Sequence, residues 1–307
     1  MFYKLIFSLL TIFSLFDICQ AAPLPQMQEK VISANGAQLY CQYVGNGNPI
    51  IVVHGAPPLS QDYLLPFLSE LSENNMVVFY DQRGCGHSTS ELTEKQVNVP
   101  TFVEDIESIR HAFHFDKITV LGHSWGSFLA MQYVIRHPDA VDKLILIGTM
   151  PASQDELFQF ISDITKRLAP VHDEIELIKA TDLYKSGDPE TVEKELKIVF
   201  QTYLYNPEDI NKLNFRLPQQ GILTGLKTFD LVCSEVFFKP FNIFNELSAI
   251  KCPTLILHGD SDPISYRMAE HINQTIPNSK FMKIDNCGHF PYVEQPCVMF
   301  STIKAFL

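Results

Sequence analysis

The chain predicts an α/β fold: a mostly parallel central sheet flanked by helices, carrying an inserted helical cap. Three observations support this. Short apolar runs rich in Ile, Val and Leu recur at 50–53, 76–80, 118–121, 144–147, 254–257 and 280–284, several ending against Gly or Asp. Strands covered on both faces read this way, as continuous apolar runs rather than alternations. Between them lie helical stretches such as 100–113 and 127–136, giving the alternation that builds a sheet sandwiched by helices. The alternation lapses at 151–246, which is helix-biased, polar and rich in Leu, Phe and Tyr, and strand signals resume at 254. The core is therefore expected in two pieces, 22–150 and 247–307, with 151–246 as the cap.

In chain order, Lys4 precedes a run at 5–16 built only of Leu, Ile, Phe, Ser and Thr, followed by the small-residue processing site Cys19-Gln20-Ala21-Ala22. Residues 1–21 read as a secretory signal peptide, because the run falls short of the about 20 apolar residues that a spanning helix needs. The mature protein is then expected to be secreted or periplasmic, with no stable membrane insertion. Next, 31–33 and 38–44 flank Asn35-Gly36, a pair that closes a tight hairpin. At 307 residues, 46% hydrophobic and 19% charged, the chain can bury a large core; one domain with an insertion fits its size. Lys plus Arg number 23 against 35 Asp plus Glu, a formal charge of -12, which repels phosphate backbones and argues against a nucleic-acid partner. The cap holds sixteen acidic and ten basic residues, half of that deficit.

Six cysteines, Cys41, Cys85, Cys233, Cys252, Cys287 and Cys297, would remain after processing. No CxxC pair of the zinc or redox type occurs among them. Cys287 with Cys297 is the first pairing to test, and buried free thiols are the alternative.

The chemistry sits at strand ends. Directly after 118–121 comes Gly122-His123-Ser124-Trp125-Gly126 and then a small-residue helix start, the G-x-S-x-G arrangement of a nucleophile elbow. A strand-to-helix turn tight enough to project Ser124 above the sheet strains its backbone, and the flanking glycines let neighbouring segments approach. A serine hydroxyl also needs a base, and the base needs an acid to orient it. His258-Gly259-Asp260-Ser261-Asp262 follows the strand 254–257, and Cys287-Gly288-His289-Phe290 follows the last strand. The catalytic set expected is therefore Ser124, Asp262 and His289. Asp260 is the rival acid, but Asp262 should be carried farther over the sheet. His54, His123 and His258 are expected to pack and brace loops, whereas His289, after Gly288, is expected in a mobile, exposed loop. The oxyanion needs two donors: the backbone N–H of Trp125, and most simply that of Ala56 in His54-Gly55-Ala56-Pro57-Pro58, since proline cannot donate.

These residues resemble the α/β-hydrolase superfamily over nearly the full mature length, and within it the proline iminopeptidases. Asp81-Gln82-Arg83-Gly84-Cys85-Gly86-His87-Ser88 is similar to that family's DQRGxGxS loop, and Gly122-His123-Ser124-Trp125-Gly126-Ser127 to its GxSWGS elbow. Thr101-Phe102-Val103-Glu104-Asp105-Ile106-Glu107 resembles the helix before its nucleophile strand. The resemblance implies release of an N-terminal residue, often proline, through an acyl-enzyme on Ser124, with Asp262 and His289 and with no metal or cofactor. The chain departs from the family at two places. Its HGGPG loop is here His54-Gly55-Ala56-Pro57-Pro58, which adds side-chain bulk beside the oxyanion, and the cap has no tryptophan.

A free N-terminal amine is a cation, so a site cutting only there needs a carboxylate at its closed end. Glu235, in Ser234-Glu235-Val236-Phe237-Phe238, is the candidate anchor; surface charge is its bland alternative. Asp81, Gln82 and Arg83 read as loop-bracing residues. The expected partner is a small peptide or other small acyl substrate. A carboxylesterase or carbon-carbon hydrolase would use the same machinery, and a binding protein of the same fold would not turn over either substrate.

Overall fold

The computed structural model describes residues 26–307 and, at residues 235–238, the backbone alone. The expected signal peptide at 1–21 lies outside the described residues, as does Cys19. Asn35 and Gly36 take φ of 46° and 81°, the left-handed pair that a two-residue hairpin turn demands. They join β1 (Gln28–Ala34) to β2 (Ala37–Val44), paired antiparallel. The apolar runs follow as β3 (Asn48–Val53), β4 (Asn75–Tyr80), β6 (Ile118–His123), β7 (Val141–Ile147), β8 (Thr254–Gly259) and β9 (Ser279–Ile284), with a two-residue β5 (Thr89–Ser90) against β2. The sheet order is β1-β2-β4-β3-β6-β7-β8-β9. Only the β1, β2 and β5 pairings are antiparallel; from β4 to β9 every neighbour is parallel.

Successive strand side chains alternate faces, and both faces are covered. Ile51 and Val53 join one apolar cluster with Val120, Leu144 and Ile256, while Ile50 and Val52 join the other with Ile145 and Leu257. Over the first face lie α1 (Val99–Ala112) and α2 (Trp125–Arg136). Asn98 starts α1 by accepting the Thr101 N–H at 3.0 Å, with Pro100 in the first turn, where a missing donor costs nothing. Each fully buried aliphatic side chain contributes about 1.5–3 kcal/mol, so the two clusters dominate the stability.

Between β7 and β8 the chain passes through α3 (Gln154–Leu168), α4 (His172–Ala180), α5 (Pro189–Gln201) and α6 (Gln219–Phe238). Its two connections are stitched at one neck. Ser153 and Asn242 form an antiparallel bridge, the Gln154 N–H donates to Phe241 O at 2.9 Å, and the Ile243 N–H donates to Ala152 O at 3.0 Å. After the neck come α7 (Tyr266–Thr275) on the first face and α8 (Pro296–Phe306) on the second. The strand register brings His123, Ile147 and Leu257 level at one sheet end. Backbone bonds extend the ladder past it: Ser124 N–H to Ile147 O and Gly148 N–H to Leu257 O, both 3.0 Å. All loops carrying the expected chemistry leave from this end.

Candidate active site

Ser124 stands between β6 and α2 with φ 55° and ψ -126°, a conformation costing a non-glycine residue of order 1–3 kcal/mol. The surroundings enforce it. A Cβ on Gly122 would lie 2.3 Å from Gly126 O, and one on Gly126 would lie 2.1 Å from Val53 O, so only glycines let β3, β6 and α2 come this close. The Ser124 carbonyl accepts from Ser127 N–H at 2.8 Å and from Ser127 Oγ at 2.6 Å. The Ser124 side chain is half-buried, and its hydroxyl has no hydrogen-bond partner among the described residues.

Asp262 and His289 meet beyond β8 and β9. His289 Nδ1 lies 2.7 Å from Asp262 Oδ2, and Ile264 N–H donates to Asp262 Oδ1 at 2.8 Å. Burial pushes the Asp262 carboxyl up, but the adjacent His289 and His258 rings and these hydrogen bonds hold it below its ordinary value. An ionised Asp262 only accepts, so the hydrogen of this bond sits on His289 Nδ1 and the ring's other nitrogen, Nε2, is turned away from the acid. The rival, Asp260, instead accepts the Cys287 N–H at 3.2 Å and the Ser261 hydroxyl at 3.0 Å, bracing the turn. His258 braces too: its Nδ1 accepts the Thr149 N–H at 3.1 Å, and its Nε2 sits 2.7 Å from Ile264 O.

The exposed loop expected around His289 is not found. His289 is 1% exposed, because the cap segment after α5 lies over it. Its N–H donates to Tyr203 O at 2.9 Å, and the Tyr203 ring meets its imidazole edge-on at 5.3 Å. A Cβ on Gly288 would sit 2.1 Å from the same carbonyl. Glu294, unnoticed in the sequence, ties the two loops: its Oε2 accepts the Gly288 N–H at 2.8 Å and its Oε1 the Tyr205 N–H at 2.6 Å.

A second buried chain runs beneath Ser124. The Gly55 N–H donates to Tyr63 Oη, Tyr63 Oη lies 2.8 Å from His123 Nδ1, and His123 Nε2 lies 2.9 Å from His289 O. An amide N–H only donates and a carbonyl only accepts, so His123 is protonated on Nε2 and accepts from Tyr63. Burial, with His289 nearby, lowers its pKa to about 3, consistent with the neutral ring. With Gly55 N–H consumed by Tyr63 and Pro57 and Pro58 lacking donors, Ala56 supplies the free N–H of this loop, and Trp125 opens α2 opposite.

Glu235 falls on the last turns of α6, and its side chain lies outside the described residues. The pairing considered for Cys287 and Cys297 does not form: both are free thiols, Cys287 buried with Sγ against Gly288 O at 3.5 Å and Cys297 exposed on α8. Among the described residues, no group of three or more His, Cys, Asp or Glu could hold a metal ion, and no helix is long and apolar enough to cross a membrane.

Residues 48–296 match the family described as the alpha/beta hydrolase fold. The chain is 29% identical over 276 residues to a proline iminopeptidase of Heyndrickxia coagulans, covering 86% of this chain and 91% of that protein. The solved structure of a proline iminopeptidase from Mycobacterium smegmatis aligns at a TM-score of 0.66 and 18% identity, covering 91% and 97% of the two chains. A 2-hydroxy-6-oxo-6-phenylhexa-2,4-dienoate hydrolase from Rhodococcus sp. strain RHA1 aligns at 0.69 and 19% identity, covering 92% and 99%.

Proposed function

The chain belongs to the α/β-hydrolase family, and from that premise we propose that it is an exported serine aminopeptidase releasing N-terminal proline or another small residue from short peptides. The observation that carries the reading is the bond from His289 Nδ1 to Asp262 Oδ2 at 2.7 Å, at the sheet end that also bears the strained Ser124 turn. Similarity to proline iminopeptidases over 86% of the chain directs the substrate class. The structural likenesses bear on fold alone and do not choose between peptide and ester.

In this reading Ser124 Oγ attacks the carbonyl of the N-terminal residue while His289 Nε2 takes the hydroxyl proton. The oxyanion that forms is held by the N–H groups of Ala56 and Trp125. Collapse breaks the C–N bond, and the leaving amine takes the proton from His289. Water then attacks the acyl-enzyme, giving one proton to His289, which returns it to Ser124 Oγ as the free acid departs. Glu235 is the proposed anchor for the substrate ammonium. Export rests on the apolar run and processing site within residues 1–21.

Aminoacyl arylamides, the same compounds N-acetylated, and short-chain esters separate the possibilities. The proposal expects turnover of proline or alanine arylamides that acetylation abolishes. Glu235→Gln should cost peptide substrates more than esters. Ester turnover with no arylamide turnover would overturn the aminopeptidase reading, and equal losses on both substrate types would remove Glu235 as the anchor.

A further inference from the structure

Gln82 lies in the loop after β4, is fully buried, and spends every side-chain hydrogen-bonding group on the two walls of the oxyanion site. Its Nε2 donates to His54 O at 2.6 Å and reaches Gly55 O at 3.3 Å, while its Oε1 accepts the Trp125 indole N–H at 3.1 Å. Indole N–H only donates and carbonyls only accept, so the amide orientation is fixed by its partners. Its backbone N–H donates to His54 Nε2 at 2.9 Å. That leaves the His54 proton on Nδ1, which donates to Gly55 O at 2.8 Å.

Two donors therefore hold the Gly55 carbonyl. That carbonyl shares one planar peptide unit with the Ala56 N–H, and in a trans unit the two point in opposite directions. Holding Gly55 O on the Gln82 side aims the Ala56 N–H away from it. The other end of Gln82 fixes the indole of Trp125, whose backbone N–H is the second donor. We propose that Gln82 is the positioning residue of the oxyanion hole, one side chain that sets the direction of the Ala56 N–H and the seat of Trp125 together. The proposal rests on the serine-hydrolase reading of Ser124, and its test separates the two.

The test is Gln82→Met, close in volume but without donor or acceptor, assayed by the rate at which a serine-directed aryl phosphonate labels Ser124 and by kcat and KM on the best substrate. Trp125 is the chain's only tryptophan, so its emission reports the bond to Gln82 directly. Expected are a shift of that emission to shorter wavelength, unchanged KM, and labelling and kcat lowered by about 10- to 100-fold, less than the loss of a whole oxyanion donor. If Gln82→Met does not fold, Trp125→Phe breaks the same bond from the other side and keeps the backbone N–H of residue 125. It should slow labelling at unchanged KM. A folded variant of either kind that labels at the wild-type rate overturns the proposal, as does an unmoved Trp125 emission in Gln82→Met. Wild-type protein that fails to label at Ser124 overturns the underlying reading instead.

Discussion

His54 shows how one side chain can serve the site and tax stability at once. Its Nε2 accepts from the Gln82 N–H, which requires the neutral ring, while its Nδ1–H donates to Gly55 O, a bond the cation could also make. Burial lowers its pKa to about 4, against an ordinary value near 6.5. Between those values the unfolded chain binds a proton that the folded chain refuses, so stability falls as pH drops from about 6.5 to 4. The loss from this one group is about 3 kcal/mol. Asp81, which burial pushes up to about 7, takes up a proton on folding below that pH and tilts the other way, so the wild-type profile alone does not isolate His54. His54→Asn should flatten the fall in thermal midpoint between pH 6.5 and 4 relative to wild type. Parallel profiles for the two proteins would contradict a neutral buried ring. The strained turn at Ser124 and the meeting of Asp262 with His289 were readable from sequence because each residue adjoins a strand end with its own local signature. Tyr63 had none, since its hydroxyl acts on Gly55 and on His123, sixty positions away.

At the scale of elements, Glu294 couples the His289 loop to the cap. Its carboxylate accepts from Gly288, Tyr205 and Asn206 backbone N–H groups, although burial pushes its pKa up. Glu294→Ala would leave these donors without a protein acceptor and should cost about 2–3 kcal/mol, read as a lower thermal midpoint, with kcat falling more than KM rises. Glu294→Gln, which keeps one acceptor oxygen, should lose less. A Glu294→Ala protein with wild-type midpoint and kcat would show that the tie does not hold the loop. The hairpin at Asn35-Gly36 and the six strands at the apolar runs were legible because their signals are local, but β9 is not the buried strand its apolar run suggests: it lies at the sheet edge and buries only Ile284. The two-residue β5 and the antiparallel β2–β4 pairing were not, because they depend on which segments meet. The burial of His289 was misread for the same reason: Gly288 signals a turn, but its cover, Tyr203 to Tyr205, comes from the cap.

Across the whole molecule, the parallel register is what makes chemistry from three distant segments local. β6, β7 and β8 end level, the ladder continues through Ser124, Gly148 and Asp260, and the buried chain from Gly55 through Tyr63 and His123 to His289 crosses beneath them. The acidic, helical insert then closes over this end, tied at its neck by the Ser153–Asn242 bridge. The central claim is that this assembly turns the Ser124 hydroxyl into a nucleophile. Mass spectrometry of the protein after incubation with an aryl phosphonate tests it most directly. One adduct per chain, mapped to Ser124, absent in Ser124→Ala and slowed by about 10³-fold or more in His289→Ala, is the predicted result. No adduct on correctly folded protein, or an adduct on another residue that persists in Ser124→Ala, would contradict it.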